Sequence, residues 1–297
     1  MRNTIAYRHW QPGDDDAVLE LLLSAGQFGV NRNHYEKKFD DGYLEPEGVR
    51  LASVGERVVG HVTGSLIFLS VEGKNQDFGM VTEMFVAPDM RRRGIATRLM
   101  LELNAYLEGK GSRGSILYVD TTKAYQLYQK VGYQEITREL QTQLSPRPNF
   151  FPLKWAEVDP EDFDVLHRLK QIWANQNFPV YWSAQHPQVH QYNLKQYRVL
   201  RRETDTVGYA KWDNSSERRP NGLIWDPVVP GEDPVEVIKS VQAAIPMPYL
   251  WRTVRGSRYE NPLSSLGHTL EPLERADMLL SFGPEIDWTG LVRAFWQ

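Results

Sequence analysis

The sequence contains no cysteine. That excludes a disulfide framework, a thiolate metal site and any reaction that runs through an enzyme thiol. It also lacks a run of 18 or more apolar residues, so no membrane-spanning helix is expected. Basic residues are not in excess. The formal net charge is −4, whereas a general nucleic-acid binder is usually clearly basic. The opening residues, MRNTIAYRHW, have no apolar core of the kind a secretory leader needs, and a cytoplasmic protein is expected. Metal ligation has little support. His186 and His190 stand four apart, but Pro187 follows the first and no third ligand lies at a recognisable spacing. What is present is ordinary for a globular chain: 297 residues, 41% of them hydrophobic and 24% charged. That length suits two domains, each able to bury a core.

In the first half, 5–10 alternates as a strand. The acidic turn of Asp14, Asp15 and Asp16 then opens a helix carrying Val18, Leu19, Leu21, Leu22 and Leu23. Residues 31–48 are irregular and polar, fit for a short helix and a loop over a site. Strands are expected at 49–54, 58–71 and 80–86. The next helix has a clear apolar stripe, Ile95, Leu99, Leu103 and Leu107, at the spacing one buried face requires. A strand at 115–119, a short helix at 124–131 closed by Gly132, and a strand at 133–144 complete an α/β layout.

The stretch that stands out is VTEMFVAPDMRRRGIATRLM, residues 81–100. It reads as a strand, a turn with Arg91, Arg92, Arg93 and Gly94, and a helix start. The first amides of a helix have no partner within it, so those of Arg92 to Ala96 can point at an anion. Gly94 has no Cβ to obstruct a close approach. The guanidiniums add charge-assisted bonds, and their crowding at the positive end of a helix dipole calls for a negative partner.

Arg91-x-x-Gly94-x-Ala96, followed by AYQLYQKVGY at 124–133, resembles the GNAT acyltransferase superfamily. The strand before the first motif, the amphipathic helix after it and the second motif downstream together carry the resemblance over 1–144. It implies a GNAT fold, a mixed central sheet with flanking helices, and acetyl-CoA as cosubstrate. It places the pyrophosphate at residues 91–97 and the pantetheine arm along Phe85 and Val86, where this strand splays from the next. It assigns Tyr128 to protonation of the departing sulfur. Glu83, on the same strand, is the candidate general base, since an alkylamine of pKa near 10.4 arrives protonated. An amide near Phe85 or Val86 is expected to hold the oxyanion. Direct attack fits the missing cysteine. The family often has Asn where Thr121 stands, which leaves Thr121 as a weaker candidate contact. The family also ends in two strands after the short helix. Only one is visible here, and the second half is the place to look for the other.

GKGSRG at 109–114 fits the dinucleotide fingerprint in reverse context, helix before strand, and reads as a loop. Arg198, Arg201 and Arg202 read as a solvated strand face. After a Pro-rich linker at 145–152, the element order repeats over 153–297. Strands are expected at 153–158, 197–202, 206–212, 223–229 and 249–254, helices at 159–176, 235–244 and 261–266, and a hairpin at 268–282. The aromatic stretch of Phe178, Tyr181 and Trp182 interrupts them. This half resembles a degenerate GNAT domain. VPGEDP, 229–234, replaces the arginine turn, and Leu263 and Leu266 replace the tyrosine. Prolines remove donors and carboxylates repel phosphate.

The expected function is acetyl transfer to the amine of a small molecule, without metal, nucleic acid or membrane. The second half would shape the acceptor site or form a homodimer contact. Two other readings stay open: a non-catalytic acyl-CoA sensor, and an N-acetyltransferase acting on proteins or peptides.

Overall fold

The computed structural model describes residues 4–24, 38–40, 42, 44–71, 74–147, 153–162, 164–166, 168–169, 172, 197–213 and 222–283. The 178–182 aromatic stretch, His186, His190 and the 214–221 turn fall outside them, as does most of the 31–48 loop. In the first half the strands are β1 (Ala6–His9), β2 (Val49–Val54), β3 (Arg57–Val71), β4 (Lys74–Val86), β5 (Gly114–Asp120) and β6 (Gln134–Leu144). The helices are α1 (Asp15–Ser24), α2 (Ile95–Gly109) and α3 (Tyr125–Lys130). The second half supplies β7 (Lys154–Glu157), β8 (Tyr197–Arg202), β9 (Asp205–Asp213), β10 (Gly222–Trp225), α4 (Pro234–Ala244), β11 (Tyr249–Val254), α5 (Glu260–Ser265) and β12 (Glu271–Ser281).

The twelve strands of the described residues form one sheet, in the order β1-β2-β3-β4-β5-β12-β6-β11-β10-β9-β8-β7. The halves therefore trade their last strands. β12 lies antiparallel between β5 and β6, with Ala276 opposite Val119 and Leu279 opposite Ile116. β6 in turn runs antiparallel to β11, with Leu144 opposite Tyr249. The two cores record the same trade. Ala276 and Met278 belong to the first core, and Leu144 belongs to the second. Burying a Met or Leu side chain is worth about 1.5–3 kcal/mol, so the exchanged strands couple the halves strongly. The strand missing from the first half is thus β12. The hairpin expected at 268–282 is instead this single strand. A second correction concerns 223–229, where β10 stops at Trp225 before Asp226 and Pro227.

α2 lies against β2, β3 and β4 because its stripe meets a row of glycines. A Cβ on Gly60 would come within 2.7 Å of Ile95, and one on Gly64 equally close to Leu103. Gly79 is tighter still against Leu107. Ile95, Leu99, Leu103 and Leu107 are all buried as a result. In the second half Val237, Ile238 and Val241 of α4 do the same work. No helix among the described residues is long and apolar enough to cross a membrane.

Candidate active site

β4 and β5 run parallel only from Gly79 to Val81, opposite Ser115 to Leu117. Beyond Val81 they part. β4 continues to Val86 on β3, and β5 continues to Asp120 on β12. Among the described residues, no strand pairs in β5's place along β4 over Thr82–Val86, where Glu83, Phe85 and Val86 lie. All three are half-buried.

Glu83 sits in a bulge. His61 opposes Phe85 and Thr63 opposes Thr82, so Val62 alone faces both Glu83 and Met84. Glu83 takes φ 54°, a left-handed conformation that costs a residue with a side chain roughly 1–2 kcal/mol. Its carbonyl oxygen accepts from Nδ1 of the fully buried His61 at 2.8 Å. On the other side of the bulge the hydroxyls of Thr63 and Thr82 are 2.7 Å apart. The Glu83 carboxylate accepts from Lys38 Nζ at 2.8 Å, in an ion pair about one-fifth exposed at each side chain.

After β4 the chain turns through Pro88–Met90 into the three arginines, all exposed. Arg91 Nε donates back to the Val86 carbonyl at 3.1 Å, tying the turn to the strand end. Arg92 is left-handed at φ 65° and Gly94 at φ 80°. Among the described residues no side chain caps α2. The first backbone bond at its start is from Arg98 N to Gly94 O, 3.0 Å, which leaves the amides of Ile95, Ala96 and Thr97 ahead of it. A Cβ built on Gly94 meets nothing within 4 Å, so open space lies over the turn. A cationic turn, leading amides and open space are what a phosphate group requires.

Tyr128 is on α3, whose end is fixed by Gly132 at φ 97° and by Tyr133 N donating to Tyr128 O at 3.0 Å. Behind it, Tyr133 Oη donates to Asn104 Oδ1 at 2.8 Å and lies 2.5 Å from Ser115 Oγ, linking α3 to α2 and β5. Tyr128 is buried, at 7% exposure, and burial pushes its phenol up to about 12. That widens the gap to a thiol beyond the two units expected from free phenol and thiol. Thr121 is already engaged. Its hydroxyl and amide both bond to Glu274 of β12, the amide at 2.9 Å to the Glu274 carbonyl.

Reasoning from sequence missed Lys38, His61 and Glu274. His61 had a signal, a lone polar residue in the apolar run Val58, Val59, Val62. Nothing marked the other two. The basic patch of the second half proves to be paired. Arg198 meets Glu157, Arg201 meets Asp159 and Asp162, and Arg202 meets Glu232.

The splayed strands and the uncapped helix start define the class, an acyltransferase fold of the GNAT type. The sequence model of the acetyltransferase (GNAT) domain matches residues 6–136, the stretch that carries the splayed strands and the arginine turn. It is 28% identical over 141 residues to an uncharacterized N-acetyltransferase of Methanocaldococcus jannaschii, over 44% of this chain and 62% of that protein. The chain thus spans less than two thirds of that relative's length. Among solved structures, a conserved Enterococcus faecalis protein, described as a probable N-acyltransferase, superposes with a TM-score of 0.70. The identity is 13%, over 94% of this chain and 73% of that one. A GCN5-related N-acetyltransferase of Anabaena variabilis gives 0.69 at 16% identity, over 93% and 72%. At such identities the likeness is one of fold, and it extends over both halves.

Proposed function

We propose that the chain transfers the acetyl group of acetyl-CoA to the amine of a small-molecule acceptor, by direct attack with both substrates bound. The observation that carries this reading is the open, arginine-flanked start of α2 at the mouth of the gap between β4 and β5. When bound, acetyl-CoA supplies an activated thioester. The amides of Ile95, Ala96 and Thr97, with Arg91, Arg92 and Arg93, hold its phosphates. The edge of β4 at Phe85 and Val86 pairs with the amide-bearing arm, and an amide there faces the oxyanion. Glu83 takes the proton of the incoming amine, directly or through water, once Lys38 releases its carboxylate. Tyr128 stays protonated and donates toward the sulfur. Thr121 acts through its bond to Glu274 and holds the loop before α3.

The test is thiol release from acetyl-CoA over a panel of amines, including a basic peptide. Release that depends on a small amine supports the proposal. Binding of acetyl-CoA with no acceptor-dependent release overturns it in favour of a sensor. Release with the peptide alone moves the acceptor to the protein class.

A further inference from the structure

We propose that His61 is a positioning residue for Glu83, holding the bulge of β4 in the left-handed conformation that brings this carboxylate to the edge of the gap; the catalytic part of this inference rests on the base role given to Glu83 above. A bulge leaves the extra residue of the longer strand outside the regular ladder. Here that residue is a glutamate at φ 54°, which its own backbone disfavours. Something must compensate. The partner of its carbonyl is His61 Nδ1, 2.8 Å away and on a side chain with no exposure to solvent. A carbonyl oxygen only accepts, so Nδ1 carries the hydrogen, and the tautomer of a neutral His61 is thereby set.

Geometry explains why a histidine suits the place. The His61 backbone opposes Phe85, two residues beyond the carbonyl its side chain reaches. The ring therefore spans the bulge from one side, as the Thr63–Thr82 pair closes it from the other. Between these two clamps lie only Glu83 and Met84. Loss of the His61 clamp lets residue 83 relax toward extended backbone. The carboxylate then turns away from the gap. The α2 seat is affected less, because Ala87 N is separately bonded to Val59 O at 2.9 Å.

Three substitutions test this. Asn places a donor where Nδ1 stands, Gln places it one atom further out, and Leu removes it at similar bulk. His61→Leu is expected to lower kcat at saturating acetyl-CoA by about tenfold or more, since small misplacements of a catalytic group are costly. Its Kd for acetyl-CoA, measured by calorimetry, stays within about threefold. His61→Asn recovers most of kcat, and His61→Gln does not. A Leu variant that turns over like the native protein overturns the proposal, as does a Gln variant that recovers as well as Asn. Should the Leu variant fail to fold, the Asn and Gln pair decides by itself. Glu83→Gln is run alongside. If that variant retains full turnover, the base assignment fails, and a crystal structure of His61→Leu then decides for His61 alone. Residue 83 leaving positive φ supports the clamp, and residue 83 remaining there overturns it.

Discussion

In each half a parallel strand pair begins at a glycine, Gly79 opposite Ser115 and Gly222 opposite Tyr249. The first strand then leads through Ala87-Pro88 or Asp226-Pro227 to a left-handed residue three positions before a helix. That residue is Arg92 at φ 65° in one half and Gly231 at φ 82° in the other. A short helix follows, and the bonds Tyr133 N to Tyr128 O and His268 N to Leu263 O close both copies alike. The backbone is thus the same device built twice. The difference lies in what fills it. Gly79 stands sixteen residues before Ile95, whereas Gly222 stands only twelve before Pro234. The four-residue surplus is the length of Glu83–Val86, the bulged edge that faces the gap.

In the second half the space is occupied from within. The Asp233 carboxylate accepts from the amides of Val235 at 2.9 Å and Glu236 at 3.1 Å, the place where the first half leaves amides open. Arg258 donates to the carbonyl of Glu232 and turns its charge to holding the turn. Asp226, buried, collects Trp251 Nε1 at 2.8 Å, Thr253 Oγ1 at 2.7 Å and the Ser257 hydroxyl. Burial pushes its carboxyl up to about 6, against the three donors that pull it down. Tyr259 Oη donates to Pro227 O at 2.9 Å and completes the plug. A GNAT-like backbone is therefore compatible with either an open seat or a self-satisfied one. A few side chains decide which.

The largest expected effect comes from writing the second half's solution onto the first. Gly94 and Asp233 each directly precede their helix. Gly94→Asp puts a carboxylate where the phosphate is proposed to lie, and acetyl-CoA affinity should fall by about 100-fold or more in low-salt calorimetry. Retained affinity would mean that the arginine turn is not the seat. Next comes the hydroxyl that Leu263 lacks. Tyr128→Phe should keep acetyl-CoA affinity and lower kcat by about 10- to 100-fold. With the phenol held near 12, it stays protonated through pH 10, so no limb of the kcat profile between pH 6 and 10 belongs to it. A limb in that range that vanishes in the Phe variant would contradict this.

Much of this contrast could be read before any coordinates. The stripe of α2, the arginine turn and the Gly132 cap are local patterns, set by residues three or four apart. That the second half holds the missing strand was expected, but the placement of β12 between β5 and β6 was not legible. Its apolar residues announce burial, but which strands flank it depends on partners more than a hundred residues away. The bulge was equally hidden, because a glutamate gives no sign of positive φ. Lys38 and Glu274 reach the site only through tertiary contacts. Asp226 looked like part of a strand, and its three donors come from β11 and the turn after it.

The third prediction probes the self-filled turn. Asp233→Ala removes two amide partners and should cost about 1 kcal/mol of stability in urea unfolding. It should not create coenzyme binding, because the Glu83–Val86 edge has no counterpart. Binding with two sites per chain would show that the cap alone silenced the second half.

The smallest effect is the most discriminating. Arg92 holds a left-handed conformation that its counterpart Gly231 adopts without steric cost. Arg92→Gly relieves roughly 1–2 kcal/mol of backbone strain and adds roughly 0.5–1 kcal/mol of unfolded-chain entropy, so the variant should be slightly more stable than the native chain. Acetyl-CoA affinity should fall only a few-fold, since an exposed guanidinium contributes about 1 kcal/mol or less. Stability rising while affinity falls would identify Arg92 as a residue kept for its charge against its backbone preference. If both fall together, the arginine braces the turn, and the glycine in the second half then needs another explanation, with Arg258 as the substitute brace.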